Sequence, residues 1–217
     1  GRAGGAVMSD DKKKTARRAN DDYQTPIGVV SPLLALIDWP RVRSFLEPCA
    51  GQGRIIRAAG LAAAVTETFH GSLATARSWK WCEIEHGVDY LETKCEPVDL
   101  IITNPPFTLA LEFLRKSLEE AATVCYLLPL GFLSSTERRD FWRANPPTNL
   151  YTVSARPCFV WVCTAKECKG RADPAIADRG CPDCGARMKR QTDFSDVGWY
   201  VWDRGRFLTS RAPFGWL

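Results

Sequence analysis

Asn104-Pro105-Pro106-Phe107 carries the sharpest chemical signal in the chain. It follows residues 98–103, a run rich in β-branched side chains and apolar apart from Asp99 and a final Thr. Two successive prolines fix an extended turn and remove two N–H donors. The acceptors that remain are the Asn104 side-chain oxygen and the Pro105 carbonyl. Two rigid acceptors can hold both hydrogens of an exocyclic amine on a conjugated ring. Held so, the nitrogen is biased toward a pyramidal geometry with its lone pair free to attack. Phe107 offers a face for such a ring, a contact worth about 1–3 kcal/mol.

Upstream, Glu47-Pro48-Cys49-Ala50-Gly51-Gln52-Gly53 reads as a strand-to-helix turn. Glycines there admit a ligand to the backbone, and the first N–H groups of a helix have no internal partner. The same glycines would equally serve the turn alone. Glu83 ends the next strand, where a carboxylate can accept two hydrogen bonds from a ribose diol, with Glu85 as its competitor. Asp89 could then accept from an adenine amine while Tyr90 packs on its face. His70 and His86 are the only histidines, too few to suggest a His-centred triad.

The elements that must position these residues alternate. Thr25 and Pro26 open a helix through Ile37, with Thr25 as N-cap. Strands are expected at 43–48, 79–85, 98–103 and 124–128. Helices are expected after Gly53 (through Ile55, Ile56 and Ala59), at 109–122 and at 136–144. Such alternation predicts a mainly parallel, doubly wound α/β sheet. Segments 158–162 and 199–202 read as two further strands, expected to pair antiparallel with each other.

Taken together, these motifs resemble the S-adenosylmethionine-dependent DNA adenine-N6 methyltransferases. Asp22-Tyr23-Gln24-Thr25-Pro26 upstream, and Arg156-Pro157-Cys158-Phe159 with Trp199-Tyr200-Val201-Trp202-Asp203 downstream, are similar to the small phage-encoded members. The resemblance spans roughly 21–162 and 194–207, in one of the family's circularly permuted motif orders. It implies a Rossmann-like class I methyltransferase fold. The methionine moiety of the cofactor would meet Pro48, Gly51 and Gly53, with Tyr23, Thr25 and Pro26 nearby. Cys49 would join that set as a small packing residue rather than a nucleophile. Glu83 would bind the ribose, Asp89 and Tyr90 the adenine, and Asn104 would adjoin the cofactor. Asn104, Pro105, Pro106 and Phe107 would hold a flipped target base. Transfer in this family is direct and in-line, without a covalent enzyme intermediate, on a base extruded from the duplex.

The chain departs from the larger members of that family. At 217 residues no large target-recognition domain is expected, and the chain carries Cys163-x4-Cys168-x12-Cys181-x2-Cys184. Two close cysteine pairs can close a tetrahedral structural zinc site with no open ligand position. The other five cysteines have no pair spacing and are expected in the core. Lys166, Lys169, Arg171, Arg179, Arg187, Lys189 and Arg190 outnumber Glu167, Asp173, Asp178 and Asp183 around these ligands. That excess suits phosphate contact; a zinc staple for an insertion too small to have its own core is the other reading.

Composition sets the outer bounds. With 45% hydrophobic and 25% charged residues in 217, the chain is globular, not disordered or collagenous. No apolar run approaches a membrane span. A net charge of +4 permits a nucleic-acid partner without requiring one. Residues 1–7 before Met8 read as a cloning remnant, within a disordered tail 1–20 whose basic cluster is a solvated terminus or a phosphate-contacting arm. The expected domains are 21–162 with 194–217 for the methyltransferase and 163–193 for the zinc ribbon. With no apolar leader in residues 1–20, reduced thiols and a cytoplasmic setting are the expectation. The expected activity is methyl transfer to adenine in DNA, in a phage or restriction-modification setting, by a monomer with a short or relaxed recognition sequence. Cytosine in DNA, adenine in RNA, a protein glutamine, or a non-catalytic nucleic-acid-binding module are the alternatives.

Overall fold

The computed structural model describes residues 25–70, 78–154, 157–172, 177–191 and 196–217, the side chains of 64–70 and 177 excepted. The expectations for residues 1–20 and for Tyr23 fall outside them. The elements in chain order are α1 (Ile27–Leu34), β1 (Ser44–Glu47), α2 (Arg54–His70), β2 (Ser78–Trp81), β3 (Val98–Thr103), α3 (Ala110–Glu120), β4 (Ala121–Pro129), α4 (Arg139–Ala144) and β5 (Asn149–Thr152). After these come β6 (Trp161–Cys163), β7 (Arg171–Ala172), β8 (Met188–Arg190), β9 (Val197–Asp203) and β10 (Phe214–Trp216).

Seven strands form one sheet in the order β10-β5-β9-β4-β3-β1-β2. β1 runs parallel to both β2 and β3, β3 parallel to β4, and β10 parallel to β5; β9 is antiparallel to β4 and β5. Side chains alternate across this sheet as a strand requires. Phe45, Leu100, Ile102, Cys125, Leu127, Trp199 and Val201 pack on one face under α1 and α2. Leu46, Ile101, Val124, Tyr126, Leu128, Tyr200 and Trp202 pack on the other under α3 and α4. This is the expected mainly parallel, doubly wound Rossmann-like sheet.

Several local expectations are corrected. Segments 158–162 and 199–202 do not pair. β9 is buried along its whole length, which demands a neighbour on both sides, and it finds them in β4 and β5. β6 instead lies between β7 and β8 in a separate three-stranded sheet. The strand expected at 79–85 stops at Trp81; Ile84–His86 forms a 3₁₀ turn capped by the Glu83 side chain. The helix expected at 109–122 ends at Glu120, because Ala121 already pairs with Val98. The helix expected at 136–144 divides into a 3₁₀ turn, Thr136–Arg138, and α4. α1 ends before Ile37, which instead bridges to Leu208. Pro26, not Thr25, is its N-cap. β5, β7, β8 and β10 had no counterpart in the sequence reading, being short strands without a long apolar run.

Trp199 ties β9 to the helical layer. It is completely buried, and its Nε1 donates to the Val29 carbonyl of α1 at 2.9 Å. Trp199→Ala is expected to lower unfolding free energy by about 3–5 kcal/mol in urea titration, because a large core side chain and its hydrogen bond go together. A loss below about 1 kcal/mol would show that the site collapses around the cavity.

Candidate active site

β1, β2 and β3 are parallel neighbours, so all three end at the same edge of the sheet. β1 connects onward to β2 on one side and is flanked by β3 on the other. The chain order therefore reverses at β1, and open α/β sheets leave a crevice at such a point. The crevice here is a cavity of about 340 Å³ walled by the turn after β1, by Glu83 to Tyr90 after β2, and by Asn104 and Pro106 after β3. Its size lies in the range of small-molecule sites.

The turn needs its glycines for backbone shape. Gly51 has φ +50° and Gly53 φ +71°, a region costly for residues with a Cβ. Gly51 lines the cavity, and its N–H donates to Glu83 Oε2 at 2.5 Å. Gly53 does not line it: its N–H donates to the Ala50 carbonyl, and its carbonyl accepts from Arg57 to start α2. Glu83 also accepts from the Glu85 N–H at 3.3 Å, so of the two competing acids Glu83 is the one turned to the glycine turn. Pro48 and Cys49 line the same wall.

Asp89 reaches the cavity and caps its own turn, Oδ1 accepting from the Leu91 N–H at 3.0 Å. Tyr90 lies deeper in the same wall. Its wall position is real, but it is only 1% exposed, its hydroxyl joins Ser117 and Glu120, and its ring packs tilted against Phe113. The ring is thus fixed by the core while its position remains in the cavity wall. Ile84 and Val88 furnish apolar wall that the sequence reading did not assign.

Asn104 Nδ2 donates to Thr25 Oγ1 at 3.1 Å. This bond joins the proline turn to the segment ahead of α1. Both residues line the cavity, whereas Pro26, Pro105 and Phe107 do not. Pro105 is buried, and Phe107 is half-buried against the core beneath α3.

Glu47, the first residue of the glycine motif, also lines the cavity. It is 1% exposed at the end of β1, and its Oε2 accepts from the Ile56 N–H at 2.8 Å. Burial pushes its carboxyl up from 4.5 to about 8; the Ile56 N–H opposes the rise and the charge of Glu83 adds to it. An acid ending an otherwise apolar buried strand was the signal available in the sequence.

The four spaced cysteines converge. Their sulfurs all lie within 4.8 Å of one another, with Cys163 to Cys184 at 3.5 Å and Cys168 to Cys181 at 3.7 Å. Four sulfurs at about 2.3 Å from a tetrahedral zinc would stand roughly 3.8 Å apart. Ala165 and Gly170 N–H groups donate to Cys163 and Cys168. A Cβ on Gly170 would lie 2.4 Å from Cys181 Sγ, so the backbone must pass bare against the cluster. None of the nine cysteines is in a disulfide.

No protein-family model matches the sequence, and no curated protein matches it. Solved structures similar to the chain include a Pyrococcus horikoshii protein given as a candidate RNA methyltransferase (19% identity, 82% of this chain and 85% of that one, TM-score 0.47). Others are the methyltransferase subunit of a type I restriction-modification system from Streptococcus thermophilus (11%, 91% and 48%, 0.46) and the M protein of the type I restriction enzyme EcoKI (13%, 85% and 45%, 0.46). The chain spans about half the length of those two type I proteins. Among the described residues no helix is long and apolar enough to cross a membrane.

The raised Glu47 value has a defined sign. A carboxyl that holds its proton more tightly when folded stabilises the fold fully below about pH 4.5, and that contribution is lost as pH rises to about 8. Unfolding free energy is expected to fall across that window by up to about 1.4 kcal/mol per pH unit from this group. Glu47→Gln should flatten the dependence in urea titrations at about pH 5, 6, 7 and 8; parallel curves for the two proteins would remove Glu47 as the cause.

Proposed function

We propose that the protein transfers a methyl group from S-adenosylmethionine to the exocyclic N6 amine of adenine in DNA. The observation that carries this reading is the meeting of Asn104, held by Thr25, with the glycine turn and Glu83 around one cavity at the switch point of the sheet. Pro48, Cys49 and Gly51 would line the methionine moiety, Glu83 would accept from the ribose, and Asp89 would accept from the cofactor adenine. Bound there, the cofactor supplies an electrophilic methyl group.

The residues of the chain account for the rest. The Thr25 hydroxyl sets the orientation of the Asn104 amide, directing Nδ2 to itself and Oδ1 to the other side. Asn104 Oδ1 and the Pro105 carbonyl would accept the two hydrogens of the target amine. Phe107, outside the cofactor cavity, would stack on the extruded base. Tyr23 and Pro26 remain members of the proposed cofactor set by resemblance alone. The cysteine cluster would hold one structural zinc, since its sulfur spacing and N–H···S bonds suit four thiolates around an ion.

Asn104→Ala is expected to lower turnover by at least about 10²–10³-fold, while calorimetry with the cofactor gives nearly the wild-type affinity. Digestion of methylated DNA should yield N6-methyladenine; methylcytosine as the sole product would overturn the adenine assignment. Elemental analysis should find one zinc per chain, lost in Cys181→Ser/Cys184→Ser. A metal-free protein with an unchanged fold would remove zinc from the ribbon.

A further inference from the structure

The three-stranded sheet of the insertion has two unlike faces, and its register says which residues lie on each. Trp161 pairs with Ala172 and Arg190, and Cys163 pairs with Met188. These share the face that carries the small core of Ala172, Cys181 and Met188 with the sulfur cluster. Asp183 is on this side too, since a Cβ on Gly170 would meet its Oδ2 as well as the sulfurs.

Val162 pairs with Arg171 and Lys189, so these three point to the opposite face. Both ladders continue by one rung: Cys163 N–H donates to the Gly170 carbonyl and Thr164 N–H to the Arg187 carbonyl. The next row of the β6/β8 ladder on the same face is therefore Thr164 and Arg187, and Lys169, one residue beyond the Cys163–Gly170 rung, falls on the side of Arg171 by alternation along the chain. Four basic side chains frame two small uncharged ones. All four are exposed, and among the described residues none has an ion pair. Cations two residues apart on one strand stand about 7 Å apart, and those on the outer strands roughly 10 Å apart.

The location is as specific as the charge. β5 is parallel to β4, and β9 returns antiparallel to both, so the insertion between Thr152 and Val197 leaves and re-enters at the edge where β3 delivers Asn104. We infer that this face, made by Lys169, Arg171, Arg187 and Lys189, is the platform that seats the phosphate backbone of the DNA whose base is presented to Asn104. Charge complementarity selects the occupant: duplex DNA carries one negative charge per about 1.7 Å of axis, and the platform concentrates four cations. The inference rests on the proposed DNA methyl transfer for its substrate but not for its readout.

The test is the salt dependence of binding to a short duplex DNA, measured by fluorescence anisotropy without cofactor. Replacing all four residues with Gln should reduce the slope of log K against log salt by three to four, at about 0.9 per phosphate contact. The neighbours Lys189 and Arg190 form an internal control, being adjacent in sequence and on opposite faces. Lys189→Gln should lower the slope by about one, and Arg190→Gln should leave it unchanged. These single variants keep the test open if the fourfold variant does not fold, and zinc content reports whether the ribbon is intact. An unchanged slope in the fourfold variant, or equal effects of Lys189→Gln and Arg190→Gln, would overturn the platform. Tighter binding by tenfold or more to duplex RNA of the same sequence would overturn DNA as the occupant. A wild-type protein that transfers no methyl group yet shows the slope changes would sink the enzymatic reading alone. Methyl transfer to DNA with an unchanged slope would sink the platform alone.

Discussion

The site depends on one constraint, the parallel pairing of β1 with both β2 and β3. Three strands that run the same way must release their chains at the same edge. One edge thus receives a glycine turn, a carboxylate and a rigid amide from positions far apart in sequence. The hydrogen bonds between these segments then lock the arrangement. Gly51 donates to Glu83 across 32 residues, and Asn104 donates to Thr25 across 79. Neither bond survives a shift of one strand by a residue, since such a slip exchanges the two faces of that strand.

The same edge carries an electrostatic load. Glu47 and Glu83 are close enough for their charges to interact, and Glu47 is nearly dry. The Ile56 N–H, at the start of α2, partly offsets that burial. Glu83 meets the load differently: it stays half-buried and accepts from two backbone N–H groups of neighbouring turns. Depth thus separates two carboxylates of the same type: burial pushes the Glu47 carboxyl up, and Glu83 stays half-buried at the cavity wall.

The insertion follows a separate logic. Its buried residues are few, and a core of that size cannot order a chain by apolar burial alone. Four sulfurs converge beside that small core, and a bare glycine lets the backbone approach them. Because the sulfurs take one face of the small sheet, the other is left for charged side chains. The division of labour between the faces follows from strand alternation, not from the order of charges along the chain.

Much of this was legible from residue types and spacing. The apolar run 98–103, the prolines after it, the glycine turn and the cysteine spacings each impose a local geometry that few conformations satisfy. They determined the alternating α/β class, the ends of β3, the candidate amide and the four-cysteine cluster. Longer-range pairing was not legible, because it is decided by burial on both sides at once. β9 was expected beside 158–162 and lies between β4 and β5, since only the middle of the sheet covers its full length. Thr25 has the side chain of a helix cap, yet the tertiary fold brings Asn104 to it, and the cap falls to Pro26. Tyr90 has the shape of a stacking ring, yet Ser117 and Glu120 draw its hydroxyl into the core. Local sterics are written in neighbouring residues and can be read there. Which face a side chain shows, and what it meets, depends on partners that only folding brings within reach.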